Sequence, residues 1–383
     1  MFGAGATGSV AASHLVRLKE IDELVLAEQF PERAQALASR LTSRKTRVVP
    51  VRGTDPGTLA KVIEGADLAI NAAHVTLDLN LMEACLDAGA NYMDLSSLPS
   101  KQFPFDARFK KAGLTALLGG GEDPGLGNVL ARVGADGLET VDSIKIRDGD
   151  TAMSPDTPLP VVWSPETFLE EVFSPGLYFE DGKIVKVPPW SGREVYPFPE
   201  PVGPQPVYWM DHEEPETLGK FIGKGLKFAD LKLAIDDQLF RTLNLLRELG
   251  VLGEESIEVD GMKVAPRKVL MRLLPRPTEL IGKVSGTAMI VVEVEGWKDG
   301  ERVVHRLYTG MKHEEAFGKY GATATGYLVG TGAAVFATQF TRGQIKQKGV
   351  IAAECLDPAE SLRLMSTMGL KVVHETRSAR GLN

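Results

Sequence analysis

Apolar positions in the first 120 residues switch back and forth between two spacings. Ala11, Leu15 and Leu18 fall at i, i+4 and i+7, which predicts a helix with one buried face. Leu24-Val-Leu-Ala27 is contiguous and apolar, the pattern of a strand. Pro31 to Leu41 returns to helical spacing, with Ala34, Leu37 and Leu41 on the inner face. Strands follow over residues 47–51, 67–73, 91–95 and 114–118, separated by helices. Asp55-Pro56 reads as an N-cap followed by Pro at the first helical position, and Gly89 closes the helix carrying Leu77, Leu81, Ala84 and Ala88. Residues 67–73 are nearly all apolar, as a strand covered on both faces must be. This alternation predicts an α/β fold, a doubly wound parallel sheet of the Rossmann type with right-handed crossovers.

After residue 119 the period changes. Residues 143–147 alternate polar and apolar, and Asp181-Gly182, Asp260-Gly261 and Asp299-Gly300 each sit between strand-like runs, the signature of hairpins. The clearest is residues 284–297, which return through Val303 and Val304. One helix, over 239–249, lies among them. From Ala322 the chain becomes small and helical, Asp357-Pro358-Ala359-Glu360 starts a further helix, and residues 370–373 read as a last strand. Lys312-His313-Glu314-Glu315 reads as a solvated turn. The expected organisation is a Rossmann domain over 1–122, an inserted α+β domain with a mostly antiparallel sheet over 123–325, and a C-terminal segment over 326–383 that returns to the first domain.

Composition removes several function classes. A net charge of -8 with no densely basic stretch argues against nucleic acid or an acidic membrane as partner. The two cysteines, Cys85 and Cys355, form no paired motif, and the six histidines show no metal-ligand spacing, so no metal is expected. With no run of 18 apolar residues and no secretory leader, the expectation is a cytoplasmic protein.

The candidate chemistry begins at Gly3-Ala-Gly5-Ala6-Thr7-Gly8. Gly3 permits a tight turn, Gly5 lets the backbone approach a pyrophosphate, and Gly8 lets the helix pack close to the sheet. The helix N-terminus offers free N–H groups to phosphate. Glu28, 20 positions past Gly8, closes the next strand, where a carboxylate accepts from ribose hydroxyls and repels an added phosphate. NAD is therefore expected ahead of NADP. Only Met1 and Phe2 precede Gly3, so most of the first strand is missing and a start site further upstream is expected. Ligands in open α/β sheets bind beyond the carboxyl ends of the strands. That rule selects Ala72 and His74, then Asp94 and Ser96, then the turn from Gly119 to Gly125 with Glu122 and Asp123. Asp211-His212-Glu213-Glu214 is a dense polar cluster, open to reading either as part of the site or as a solvated loop.

Several stretches carry a family likeness: residues 3–8, 26–28, 67–72 and 88–95, then Asp123-Pro-Gly-Leu126, Trp163-Ser-Pro-Glu166, residues 181–188, and His212-Glu213 with Thr217-Leu218. In these the chain resembles the saccharopine dehydrogenase superfamily, especially its lysine 6-dehydrogenase-like branch. The resemblance implies the two-domain plan above, hydride transfer between a nicotinamide and an amine-bearing carbon, and a homodimer or higher homo-oligomer. It implies a pyrophosphate on Gly3, Gly5 and Gly8, a ribose on Glu28, and Asp94 and Asp123 near the substrate. Between Thr217 and Lys227 there is no arginine to hold a substrate carboxylate, which turns the expectation toward a small diamine or lysine-like amino acid. Asp123, Glu122, His212 and Asp94 are the acid–base and ammonium-binding candidates. Two alternatives stand beside this reading: a reductive condensing enzyme of the saccharopine or carboxynorspermidine type, and a non-catalytic NAD-binding regulatory protein on the same scaffold.

Overall fold

A computed structural model describes residues 1–378. Its parallel sheet runs in the order Thr46–Pro50, Leu24–Glu28, residues 1–3, Leu68–Asn71, Asn91–Asp94, Thr115–Leu118 and Gly349–Ala352. The central slot is taken by Phe2, which bridges Ala27 on one side and Asn71 on the other. Phe2 N donates to Ile70 O at 2.8 Å, and Gly3 N to Ala27 O at 3.0 Å, so these few residues join the two halves of the sheet.

The second sheet is mixed and mostly antiparallel, in the order Val373–Ser378, Glu301–Lys312, Thr287–Lys298, Thr140–Asp148, Phe228–Ala234, Pro204–Trp209 and Glu194–Pro197. The hairpin Gly176–Glu180 with Lys183–Val187 attaches to Phe228–Ala234. Thr287–Lys298 and Glu301–Lys312 pair in register through all twelve residues, around a turn in which Asp299 and Gly300 both have positive φ. Leu130, Ile144, Ile146, Phe168, Leu218, Ile290 and Val292 form the core under this sheet.

The helix Ala324–Thr341 is the contact between the two sheets. It is continuous over 18 residues. A methyl group at Gly330 would meet Thr7 O at 2.6 Å and Val10 Cβ at 2.6 Å, so the helix lies directly against the helix Ala6–Leu15. A methyl group at Gly332 would overlap the carbonyl of Gly121. Backbone therefore meets backbone on both sides of this helix.

Three expectations change. The apolar run Gly349–Ala352 is a strand of the parallel sheet, paired with Thr115–Leu118; its four residues between polar flanks carry too little periodicity to be recognised. The last strand lies at Val373–Ser378 rather than 370–373, and it pairs with Glu301–Lys312 of the antiparallel sheet. The stretch read as a solvated turn starts the helix His313–Tyr320, and the His313 ring is 1% exposed. Among the described residues, no helix is long and apolar enough to cross a membrane.

Two glycine substitutions test the helix contact. Gly332→Ala should lower unfolding stability by about 1–3 kcal/mol, the usual cost of overpacking. Gly318→Ala, in an exposed helical position with open space around it, should raise stability by up to about 1 kcal/mol. Chemical denaturation of both variants checks the contrast.

Candidate active site

The glycine loop leads straight from Phe2 into the helix Ala6–Leu15. A methyl group at Gly3 would meet Ala72 O at 2.5 Å, and one at Gly8 would overlap Gly3 O, so both positions require glycine for close packing. Gly5 differs. No atom lies within 4 Å of its missing Cβ, and no side chain caps the helix there. The loop backbone and the first N–H groups of the helix thus face open space, the geometry a pyrophosphate needs. Ala4, Gly5, Ala6 and Thr7 line a cavity of about 1310 Å3 that also takes in Ala72, His74 and Ser96 from the strand ends. The site fits a dinucleotide.

Glu28 stands beside the loop. Its Oε2 accepts from Ala4 N at 2.9 Å and its Oε1 from Phe30 N at 3.2 Å, so the carboxylate braces the loop and keeps further lone pairs. Arg33 and Arg40 line the cavity from the next helix. His74 lines it too, with Nδ1 3.1 Å from Thr76 Oγ1 at the start of a short turn.

The opposite end of the cavity is acidic. Residues 119–126 fold into a tight turn: Gly121 N donates to Pro124 O, Leu126 N to Gly121 O and Gly127 N to Glu122 O. Gly125, at φ +137, fits only because it lacks a Cβ. This turn carries Asp123 into the cavity wall, where Asp148, Glu171 and His212 join it. Asp148 stands close enough to Asp123 to feel its charge. Burial pushes the pKa of both carboxyls well above the usual range, and neighbouring acids add to it: Glu122 for Asp123, Asp123 and Asp150 for Asp148. Crowded together, these carboxyls disfavour a second negative charge, which favours the neutral form at this end of the cavity. Burial likewise lifts Glu171 to about 8.

His212 is the counter-charge. Burial works against its charged form, but Glu214 and Glu213 outweigh it and hold the imidazolium well above its usual range. Its Nδ1 lies 2.6 Å from Glu214 Oε2 and 3.2 Å from Glu213 Oε2. The ligand atoms of these three residues lie within 4.8 Å of one another, a grouping that arises from consecutive positions and escapes a search for spaced ligands. Here the imidazole nitrogen already has its partner in Glu214.

Two sequence candidates lie behind the wall. Asp94 is fully buried, its Oδ1 accepting from Gly119 N at 2.6 Å and its Oδ2 from Gln102 Nε2 at 2.7 Å. Burial raises it to about 7 against these bonds, and it anchors the turn that carries Asp123. Glu122 is 3% exposed and faces Asp148 and Asp150; burial and those charges keep it protonated well above the usual range. Sequence reasoning missed Asp148, Glu171 and Arg276. Asp148 ends the strand Thr140–Asp148, and Glu171 sits on the helix Pro165–Phe173, which Trp163-Ser164 introduces and Ser164 caps. Trp163-Ser-Pro-Glu166 pointed to that helix without naming Glu171. Arg276 lines the rim between Pro275 and Pro277.

Comparison with known proteins follows this geometry. Residues 1–117 match the family model described as the saccharopine dehydrogenase NADP binding domain, and residues 121–370 the saccharopine dehydrogenase C-terminal domain. A carboxyaminopropylagmatine dehydrogenase from Synechocystis is 30% identical, with 96% of this chain and 95% of that protein covered. A carboxynorspermidine synthase from Vibrio cholerae is also 30% identical, with 96% and 94% covered. The apo saccharopine dehydrogenase (L-Glu forming) of Saccharomyces cerevisiae shares the fold at a TM-score of 0.74 and 17% identity, covering 98% of both chains.

The acidic cluster sets a pH dependence. Carboxyls whose folded pKa is raised stabilise the protein fully below the ordinary carboxylate range, and that contribution is lost as pH rises through the folded value. The loss begins at the ordinary carboxylate pKa of about 4, and the folded values of about 7 for Asp94, Glu213 and Glu354 and about 8 for Glu171 set its upper end. The contribution of these groups to the melting temperature should therefore fall between about pH 4 and pH 8 and level off above, and Glu171→Gln should flatten the upper part of that slope in a thermal-shift series.

Proposed function

The chain belongs to the saccharopine dehydrogenase family and is an NAD(P)-dependent oxidoreductase acting at an amine-bearing carbon, and we propose that it reductively joins an amino-acid semialdehyde to a diamine or guanidino-amine. The observation that carries this reading is the acidic wall: Asp123, Asp148 and Glu171 line the cavity beyond the dinucleotide loop. Such a wall suits a ligand with more than one ammonium group. Arg276 also lines the cavity, with its guanidinium paired to Glu279 at 2.9 Å, so a semialdehyde carboxylate there would have to share it with Glu279. The names of the two relatives, a carboxynorspermidine synthase and a carboxyaminopropylagmatine dehydrogenase, are consistent with such a product.

The chemistry needs proton traffic at one nitrogen. Amine and aldehyde form a carbinolamine, water leaves to give an imine, and reduction gives a secondary amine. The coenzyme supplies the hydride at the imine carbon. Asp123 and Asp148, neighbouring carboxyls in the cavity wall whose pKa burial raises, take a proton from the ammonium so that nitrogen can attack, and return one to the departing hydroxyl. The His212 imidazolium offsets the charge of Glu213 and Glu214 and keeps the wall from becoming wholly anionic. Gly5 and the helix start hold the pyrophosphate, and Ala72 and His74 flank the nicotinamide end.

Glu28 favours NAD, because its free lone pairs suit ribose hydroxyls and its charge opposes a phosphate. That preference supports a second reading, oxidation of a lysine-like amino acid or diamine by NAD. The exposed Leu245, Leu249, Met262 and Leu273, all within residues 237–273, support a homodimer. The free thiols Cys85 and Cys355 suit the cytoplasm.

Absorbance of the reduced coenzyme tests the reading. Oxidation of NADH or NADPH that requires both a short amino-acid semialdehyde and 1,3-diaminopropane, putrescine or agmatine is the expected result. Reduction of NAD by lysine or a diamine alone, with no activity on the pairs, would select oxidation instead. Asp123→Asn should lower kcat by about 100-fold. Glu28→Ala should raise kcat/KM for NADPH relative to NADH by about tenfold, the scale of one removed charge beside a phosphate.

A further inference from the structure

One cavity-lining hydroxyl is fixed by a buried network that the reaction above does not use. The chain leaves the strand Thr140–Asp148 and runs on beside Thr287–Lys298, with Gly149 N bonded to Met289 O and Thr151 N to Thr287 O. Asp150 lies in this extension. Its Oδ1 accepts from Ala152 N at 2.9 Å and lies 3.2 Å from His313 Nε2. His313 Nδ1 accepts from Ala324 N at 3.0 Å. A backbone N–H can only donate, so Nδ1 is bare and the ring proton of neutral His313 sits on Nε2, aimed at Asp150. The other carboxylate oxygen of Asp150 accepts the hydroxyl proton of Thr325.

This fixes what Thr325 can do. Its one proton points at Asp150, so toward the cavity it presents lone pairs alone. Thr325 lies on the first turn of Ala324–Thr341, the helix that touches the dinucleotide loop at Gly330 and the Asp123 turn at Gly332. Thr325 lines the same cavity as Ala6 of the loop and Asp123 of the turn.

We infer that Thr325, held by Asp150 and His313, is a binding residue that accepts a hydrogen bond from an N–H donor of the bound ligand. Two donors have this chemistry: the ammonium of an amine substrate and the carboxamide of the nicotinamide. The inference rests on the cavity being the dinucleotide and amine site.

Equilibrium binding separates these donors without needing turnover. The quench of tryptophan fluorescence, with Trp163 in the cavity wall, reports NADH binding and, in a second titration, agmatine or 1,3-diaminopropane binding. Thr325→Val keeps the shape and removes the acceptor; Thr325→Ser keeps the acceptor. Loss of about tenfold affinity for the amine, restored in Thr325→Ser, assigns the donor to the substrate; the same loss confined to NADH assigns it to the carboxamide. Affinities unchanged in Thr325→Val, or lowered equally in both variants, would overturn the inference. A wild-type protein that binds NADH yet turns over no amine would count against the proposed reaction and leave the Thr325 comparison readable.

Discussion

The helix Ala324–Thr341 touches the dinucleotide loop and the Asp123 turn at once because glycine stands at both points of approach. Gly330 lets it rest on Thr7 and Val10, and Gly332 lets it pass the carbonyl of Gly121. A side chain at either place would push the helix off one partner. Because the helix is rigid over 18 residues, its two contacts fix the distance between the loop that suits a pyrophosphate and the turn that carries the acids. The size of the cavity between them follows from this contact and not from either sheet alone.

Electrostatics work against that packing. Asp123 and Asp148 crowd one end of the cavity with Glu122 buried behind them, and His212 is the counter-charge beside them. Such a cluster is tolerable only where protons replace missing cations, which is the sense of the raised values. The arrangement is a poor choice for stability and a suitable one for a ligand that brings its own positive charge. Ammonium groups of the proposed substrate would take the place of protons there, which would link binding to proton release.

The parts legible in the sequence are those encoded locally. The glycine loop, its helix, the strand ending in Glu28 and the three Asp-Gly hairpins each fit in a short window, and each is found where its spacing puts it. Asp123 was legible because the turn around it carries its own Pro and Gly. Asp148, Glu171 and Thr325 were not, because each is an ordinary residue at the end or on the face of an element, and only the crossing of distant elements brings them to one wall. His313 looked solvated because its neighbours are charged, while its burial depends on Asp150 and Ala324. Glu28 shows a further gap: its position was readable, but its bonds to the backbone of Ala4 and Phe30 were not.

The strand Gly349–Ala352 gives the order of synthesis a structural meaning. Until it arrives, Thr115–Leu118 has an open edge, and the helix that seals the loop is also absent. More than two hundred residues separate the two strands, so at about 5–20 residues per second a ribosome takes on the order of ten seconds or more to supply the missing edge. The first 120 residues must wait in an unfinished sheet with an apolar flank exposed. During that interval the nascent chain carries an unpaired strand edge, the feature that invites pairing with other chains.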